Sequence, residues 1–271
     1  MDIKRAIETV HNQFPFEGYV NFENGAYTHI ANTVLAHLKP GSTILDFGCG
    51  PCDKTAVLQT LGFKCTGYDD LQDDWHRFGD NRRKIINFAR GLGIDLRLAD
   101  SDKFPFDGLS FDMLMMHDVL EHLHDSPREL LNDLLQFLKP GGLFFATVPN
   151  AVNIRKRVFV LFGKSNYQSF DLYYWYPGPW RGHVREYVRG DLVGLSKHLS
   201  LETVELNTAD YMLPKVPPSF RPLYVFITNI FRGWKDTWYI VAKKKHGWEP
   251  RKTISEEQIR RIKGKYTSYR Y

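Results

Sequence analysis

The 271-residue chain has no apolar run of the roughly 18–20 residues that a membrane-spanning helix needs. It opens on the polar Met1-Asp2-Ile3-Lys4-Arg5, with no leader-like apolar stretch, so a reducing cytoplasm is the expected setting. Cysteine is scarce: Cys49, Cys52 and Cys65 make an odd count and lie close together. Without partners at ligand spacing they are no zinc site, and they read as small core or loop residues. Internal repeats and low-complexity tracts are absent, which excludes solenoid and disordered architectures. Evenly spread basic charge is absent too. The net charge is +5, but ten Lys and Arg against three Glu fall between Lys243 and Tyr271, a net +7 that leaves the rest of the chain near −2. A uniformly basic nucleic-acid-binding domain is therefore not expected, while the tail suits anionic lipid, a phosphorylated glycan, nucleic acid or plain solvation.

What is present is an alternation of strands and helices. Residues 24–39 carry apolar groups at helical spacing and end at Pro40-Gly41. Thr43 to Phe47 is a short buried strand running into Gly48-Cys49-Gly50, and a helix is expected from Asp53 to Leu61. Further strands are expected at Lys64–Asp69, Asp95–Asp100, Phe111–His117 and Leu143–Val148, the last preceded by a helix opened by Ser126-Pro127 and broken at Lys139-Pro-Gly-Gly142. Strands joined through helices by short turns predict a doubly wound, Rossmann-like parallel sheet, whose ligands bind at the carboxyl ends of the strands. Leu201–Thr208 and Thr237–Ala242 read as two antiparallel edge strands. The expected organisation is a helical lid at 1–42, a ligand-binding core at 43–150, an aromatic cap insertion at 151–200, edge strands with an apolar helical insertion at 201–245, and a basic tail at 246–271.

In ILDFGCGPC (44–52), Gly48 and Gly50 let the backbone turn sharply and approach a ligand closely. The third glycine of a dinucleotide fingerprint is missing: position 53 is Asp, which would set like charge against a pyrophosphate at a helix N-terminus. That counts against a nicotinamide-dependent oxidoreductase, the alternative from another class. Asp46 can accept from an ammonium group, Asp69 from ribose hydroxyls, with Asp70 as its rival, and Asp100 from an adenine amino group. Three acids at three consecutive strand ends point to a nucleoside without phosphates.

With ILDFGCG, the acid of GYDD, LADSDKFPFDGLSFDMLMMHDVLEHL and LLNDLLQFLKPGGLFFATVPN in order, the stretch 43–150 resembles the class I S-adenosylmethionine-dependent methyltransferases, in the branch of ubiquinone-biosynthesis O-methyltransferases. The resemblance implies a seven-stranded α/β sheet, mostly parallel with a reversed last strand, and S-adenosyl-L-methionine as cofactor. It implies that Asp46, Gly48 and Gly50 hold the methionine moiety, Asp69 the ribose, and Asp100 with Ser101 the adenine, with His117 beside the sulfonium.

Methyl transfer to a hydroxyl needs alignment and a base. His117, His122 and His183 are the candidates, and His183, in the aromatic insertion, is the chosen base with His117 beside it. Asp118, Glu121 and His122 also stand at i, i+3, i+4 helical spacing and, with His183, make an alternative metal set. This resembles the Glu-x-x-Glu-His plus downstream His of small-RNA 2′-O-methyltransferases, although Asp118 replaces the first Glu and shortens the reach. Tyr174, Trp175 and Trp180 are expected to stack on the acceptor, and Arg181 and Arg185 to bind its anionic group, against the simpler role of packing a cap. A small-molecule, glycan or lipid-linked acceptor is expected. The apolar segment 217–234 followed by the basic tail has the make-up of a contact with the inner membrane surface, a dimer or a sheet cover. The sequence carries nothing on oligomeric state.

Overall fold

Both faces of the sheet are covered, and the strands therefore alternate between two apolar layers rather than between apolar and polar ones. In a computed structural model, which describes residues 2–21, 25–101 and 103–267, the chain begins with helices α1 (Ile3–Gln13) and α2 (Gly25–His37). There follow β1 (Thr43–Phe47), α3 (Asp53–Thr60), β2 (Lys64–Asp69), the short α4 (Asp74–Arg77), α5 (Asn81–Gly91) and β3 (Asp95–Leu98). The chain then crosses to β4 (Phe111–His117), α6 (Pro127–Leu134) and β5 (Leu138–Pro149). The insertion holds α7 (Ile154–Leu161) and α8 (Phe170–Tyr174). The last elements are α9 (Arg189–His198), β6 (Leu201–Ala209), α10 (Arg221–Ile230), β7 (Thr237–Lys244) and α11 (Glu256–Thr267). The basic tail thus enters a helix, and its residues 268–271, Arg270 among them, lie outside the described residues.

The strand order is β3-β2-β1-β4-β5-β7-β6. β1 pairs in parallel with both β2 and β4, so the order reverses between β1 and β4 and opens a crevice at their carboxyl ends. β7 runs antiparallel to both of its neighbours, β5 and β6. On one face Ile44, Met113, Met115 and Phe145 pack with α1, α2, α3 and α5. On the other, Leu45, Leu114, Met116 and Phe144 pack with α6 and α9. The continuous apolar run of β4 follows from this double cover.

Several expected boundaries move: β3 ends at Leu98, short of Asp100, and β7 runs on to Lys244. Leu138 already pairs with Phe111, and Lys139 to Gly142 loops out as an irregularity inside β5 instead of separating helix from strand. After β4 no α-helix begins at Asp118: its φ is +57°, and the next turn, Leu120–His122, is a single 3₁₀ turn.

Candidate active site

Gly48, at φ +72°, leaves β1 beneath the 118–122 turn, and a Cβ there would come within 2.4 Å of Val119 Cγ2. Its neighbour Gly50 donates its N–H to Asp69 Oδ2 at 2.8 Å, while Leu71 N–H binds Asp69 Oδ1 at 2.7 Å. Burial raises the Asp69 carboxyl, and the two N–H groups counter it. The acid at the end of β2 is thereby fixed against the glycine turn. Asp46 lies deeper. It accepts from the Thr55 hydroxyl at 2.6 Å, and burial pushes its carboxyl up to about 7. Cys49 and Cys52 are buried under the same turn with their Sγ atoms 3.6 Å apart.

These elements wall a cavity of about 600 Å³, lined among others by Tyr19, Gly48, Gly50, Tyr68, Asp69 and His117. Asp118, Trp180 and Arg181 complete it. Asp46 is not one of its walls, and neither are Asp100 and Ser101, which are exposed beyond β3; Ala99 reaches the cavity in their place. Four acids, Asp69, Asp70, Asp73 and Asp118, line it against Lys54 and Arg181. Lys54 Nζ stands 3.6 Å from Asp118.

The roof comes from the insertion. Arg181 pairs with Asp70 at 3.1 Å and Asp73 at 2.7 Å. The carbonyl of Arg181 accepts from His122 Nδ1 at 2.7 Å, and that of Trp180 from His124 Nε2 at 2.6 Å. A carbonyl only accepts, so His122 donates through Nδ1. His117 is buried against Phe145, binds Thr147 Oγ1 through Nδ1 at 3.2 Å, and is held neutral by burial.

A second hollow of about 440 Å³ adjoins the first. Asp118 and His122 line both, and Glu121, Asn153, Lys156, His183, Glu186 and Asp236 are among its other walls. A third, about 550 Å³, shares His183 and is walled by Tyr167, Phe170, Tyr173 and Trp180. His183 Nδ1 bonds Glu186 Oε1 at 2.9 Å, and Glu186 also pairs with Lys156. This leaves His183 Nε2 without the proton and 4.0 Å from Glu121 Oε1. Burial, then the charges of His122 and Lys156, pushes His183 down to about 4, so its ring is neutral at pH 7. Glu121 is fully buried, and neither of its carboxylate oxygens has a hydrogen-bond partner among the described residues. Burial, helped by Asp118, pushes it up to about 8. One potential ligand atom from each of Glu121, His122 and His183 lies within 4.8 Å of the others. Asp118 is outside that group, bound to Lys54 and Thr147.

Of the residues expected to meet an acceptor, Trp180 lines a hollow and Arg181 lines the first cavity, fully engaged by two acids. Tyr174 and Trp175 point outward, and Arg185 pairs with Asp191. Sequence reasoning missed Tyr19, Lys54, Lys156, Glu186 and Asp236. Only Glu186 had a readable signal, its place three residues after His183.

A family model described as a methyltransferase domain matches residues 19–206. The ubiquinone biosynthesis O-methyltransferase of Caulobacter vibrioides is 31% identical over 111 residues, 41% of this chain and 42% of that protein. The match thus spans less than half the length of such relatives. Among solved structures, a cyclopropane-fatty-acyl-phospholipid synthase-like protein of Lactobacillus casei superposes with a TM-score of 0.56 at 13% identity, covering 89% of this chain and 99% of that one. A coclaurine N-methyltransferase bound to N-methylheliamine and S-adenosylhomocysteine gives 0.53 at 12% identity, over 89% and 86% of the two chains. These structural likenesses are to the fold.

Proposed function

The chain belongs to the methyltransferase-domain family, and from that premise we propose that it transfers a methyl group from S-adenosyl-L-methionine to a hydroxyl of a small-molecule, glycan or lipid-linked acceptor. The cavity fits such a cofactor. Gly50 faces open space where a Cβ would stand, Asp69 is held on the wall for a ribose, and the surplus of acids suits a ligand carrying a sulfonium and an ammonium. The same acids disfavour a pyrophosphate. When bound, the cofactor supplies an electrophilic methyl group.

The observation that carries the reading is the meeting of this cavity, at Asp118 and His122, with a hollow into which His183 offers a free lone pair. Glu186 orients the imidazole by its Nδ1 bond, and the neutral ring takes the acceptor proton at Nε2. A base held this low in pKa suits an acidic, phenol-like hydroxyl better than an alkanol. His117 is buried neutral on the cofactor side and shapes the wall there. Cytoplasmic residence belongs to the same reading, with Cys49, Cys52 and Cys65 kept as thiols.

The test is His183→Ala, assayed by labelled-methyl transfer onto a fractionated extract of the source cells. Turnover is expected to fall by about 10²–10⁴-fold, with affinity for S-adenosylhomocysteine by calorimetry unchanged. Unaltered turnover would remove His183 as the base.

One observation favours a second reading of the same residues: the orphaned, buried carboxylate of Glu121 within reach of His122 and His183. These three fit a divalent cation of the N/O-ligand type, which would hold the acceptor hydroxyl as its anion. Dialysis against a chelator separates the two. Loss of turnover restored by Mn²⁺, Mg²⁺ or Zn²⁺ supports the metal, and full activity after chelation eliminates it.

A further inference from the structure

Helix α7 buries one residue, and that residue is a lysine. Lys156 is 6% exposed, while Leu161 and the following Phe162 are 82% and 78% exposed. Lysine is rarely fully buried unless it is paired. Its partner is Glu186, itself largely buried. A buried ion pair loses in desolvation about what it gains in attraction, so the fold draws little stability from this one. An apolar side chain at 156 would serve packing at least as well.

Two segments are anchored so that the pair meets. Asn153 caps α7, accepting the Lys156 N–H at 3.1 Å, and its amide donates to the Asn150 carbonyl at 3.0 Å. Asn150 in turn donates to the carbonyls of Gly233 and Lys235 at 2.8 and 2.7 Å, which ties the start of α7 to the approach to β7. From the other side, the N–H groups of Val184 and Arg185 meet the Glu121 carbonyl at 2.7 and 3.2 Å. Ala151 N–H meets the Tyr187 carbonyl at 3.0 Å. Between these anchors Glu186 is engaged at both oxygens: Oε1 accepts from His183 Nδ1 at 2.9 Å, and Oε2 accepts from Lys156 Nζ.

We infer that Lys156 is a positioning residue for His183. By holding Oε2 it fixes the plane of the Glu186 carboxylate, so that Oε1 keeps the His183 proton on Nδ1 and Nε2 keeps its lone pair. A neutral imidazole has two tautomers, and the bond made by one nitrogen decides which of them carries the proton. A carboxylate held at one oxygen alone turns about its last bond, a broad torsion with little preference of its own. His183 is then free to carry its proton on Nε2, where it accepts nothing. Lys156 also lines the 440 Å³ hollow, but its ammonium is engaged by Glu186, so it acts through His183 and not on the acceptor. The inference rests on the methyl-transfer reading for what Nε2 does. The same tautomer is required if Nε2 holds a cation instead of taking a proton.

Imidazole nitrogen NMR of the isotopically labelled full chain reads the tautomer directly, with the His183 signals assigned by their loss in His183→Ala. The parent is expected to show His183 protonated on Nδ1. Lys156→Met should move the ring toward the Nε2-protonated form, and Lys156→Arg should restore it. Labelled-methyl transfer onto the cell extract should fall about 10–100-fold in Lys156→Met and recover most of that in Lys156→Arg. S-adenosylhomocysteine affinity should stay at the parent's level in both, which shows them folded. If Lys156→Met loses that affinity, Lys156→Gln takes its place: it keeps a polar group at the buried site but is too short to hold Oε2, and it should move the ring the same way. Lys156→Met combined with His183→Ala should be no slower than His183→Ala alone. A His183 ring unmoved in the Met and Gln variants overturns the inference. So does a double variant slower than His183→Ala by the full Lys156→Met factor, which would place Lys156 on the acceptor. A ring that moves while Lys156→Met and His183→Ala both turn over like the parent keeps the positioning and removes His183 as the base.

Discussion

Asp46 carries an unusual load for a residue beneath a glycine turn. Its carboxyl is fully buried and bonded to the Thr55 hydroxyl, and burial raises it from 3.8 to about 7. The folded state therefore holds a proton that the unfolded chain releases at lower pH. The stability this confers is complete below about pH 4 and is lost as pH rises through 7. Asp46→Asn keeps an oxygen for Thr55 and removes the titration. Urea unfolding should then show a flatter dependence between pH 5 and 8, with a gain at pH 8 on the order of 1–3 kcal/mol over the parent. An unchanged pH dependence would mean that Asp46 is ionised throughout. Asp69 differs because two backbone N–H groups meet its charge, so its role is positional.

The insertion closes the 600 Å³ cavity through a few contacts at one end. Arg181 grips Asp70 and Asp73 from the roof, while the carbonyls on either side of that bond are held by His122 and His124. The ion pairs are partly exposed and add little to global stability, less than about 1 kcal/mol, but they decide how readily the roof lifts. Arg181→Ala should leave the unfolding midpoint nearly unchanged and speed S-adenosylhomocysteine release about three- to tenfold in stopped-flow traces. An unaltered release rate would show that ligand exit avoids the roof. The same elements mark how far the sequence could be read. Strands β1, β2 and β4 were legible because apolar runs between glycine turns have one reading in an α/β pattern. The turn after β4 was not, since 118, 121 and 122 share a side in an α-helix and also meet in a tight turn led by a residue at positive φ. The aromatic insertion announced its apolar content but not its direction: Trp180 turns in and Trp175 turns out, and nothing local separates them. Lys156, Glu186 and Asp236 meet only because the chain folds back over the sheet, a contact with no periodicity to read.

At the scale of the whole molecule, the 600 Å³ cavity gathers pieces from distant parts of the chain. Tyr19 comes from the segment after α1, Gly50 and Asp69 from the first half of the sheet, His117 from beyond the crossover, and Arg181 from the insertion. Tyr19 is itself stacked on Trp75 at 5.2 Å, so the N-terminal layer is fixed to the same wall. A ligand touching all of these stabilises the fold as a unit, because no one of them can leave without breaking its contacts. At about a hundred times its dissociation constant, S-adenosylhomocysteine should add about 2.7 kcal/mol and raise Tm by about 5 °C in a chain of this size. NAD should raise it not at all. The cavity is lined by Asp69, Asp70, Asp73 and Asp118, and Asp53 stands at the start of α3 where a pyrophosphate would need donors free of negative charge. Thermal melts with each ligand alone decide between the two. Stabilisation by NAD without stabilisation by S-adenosylhomocysteine would mean that the acids do not set the choice of guest, and the assignment of the cavity would have to be given up.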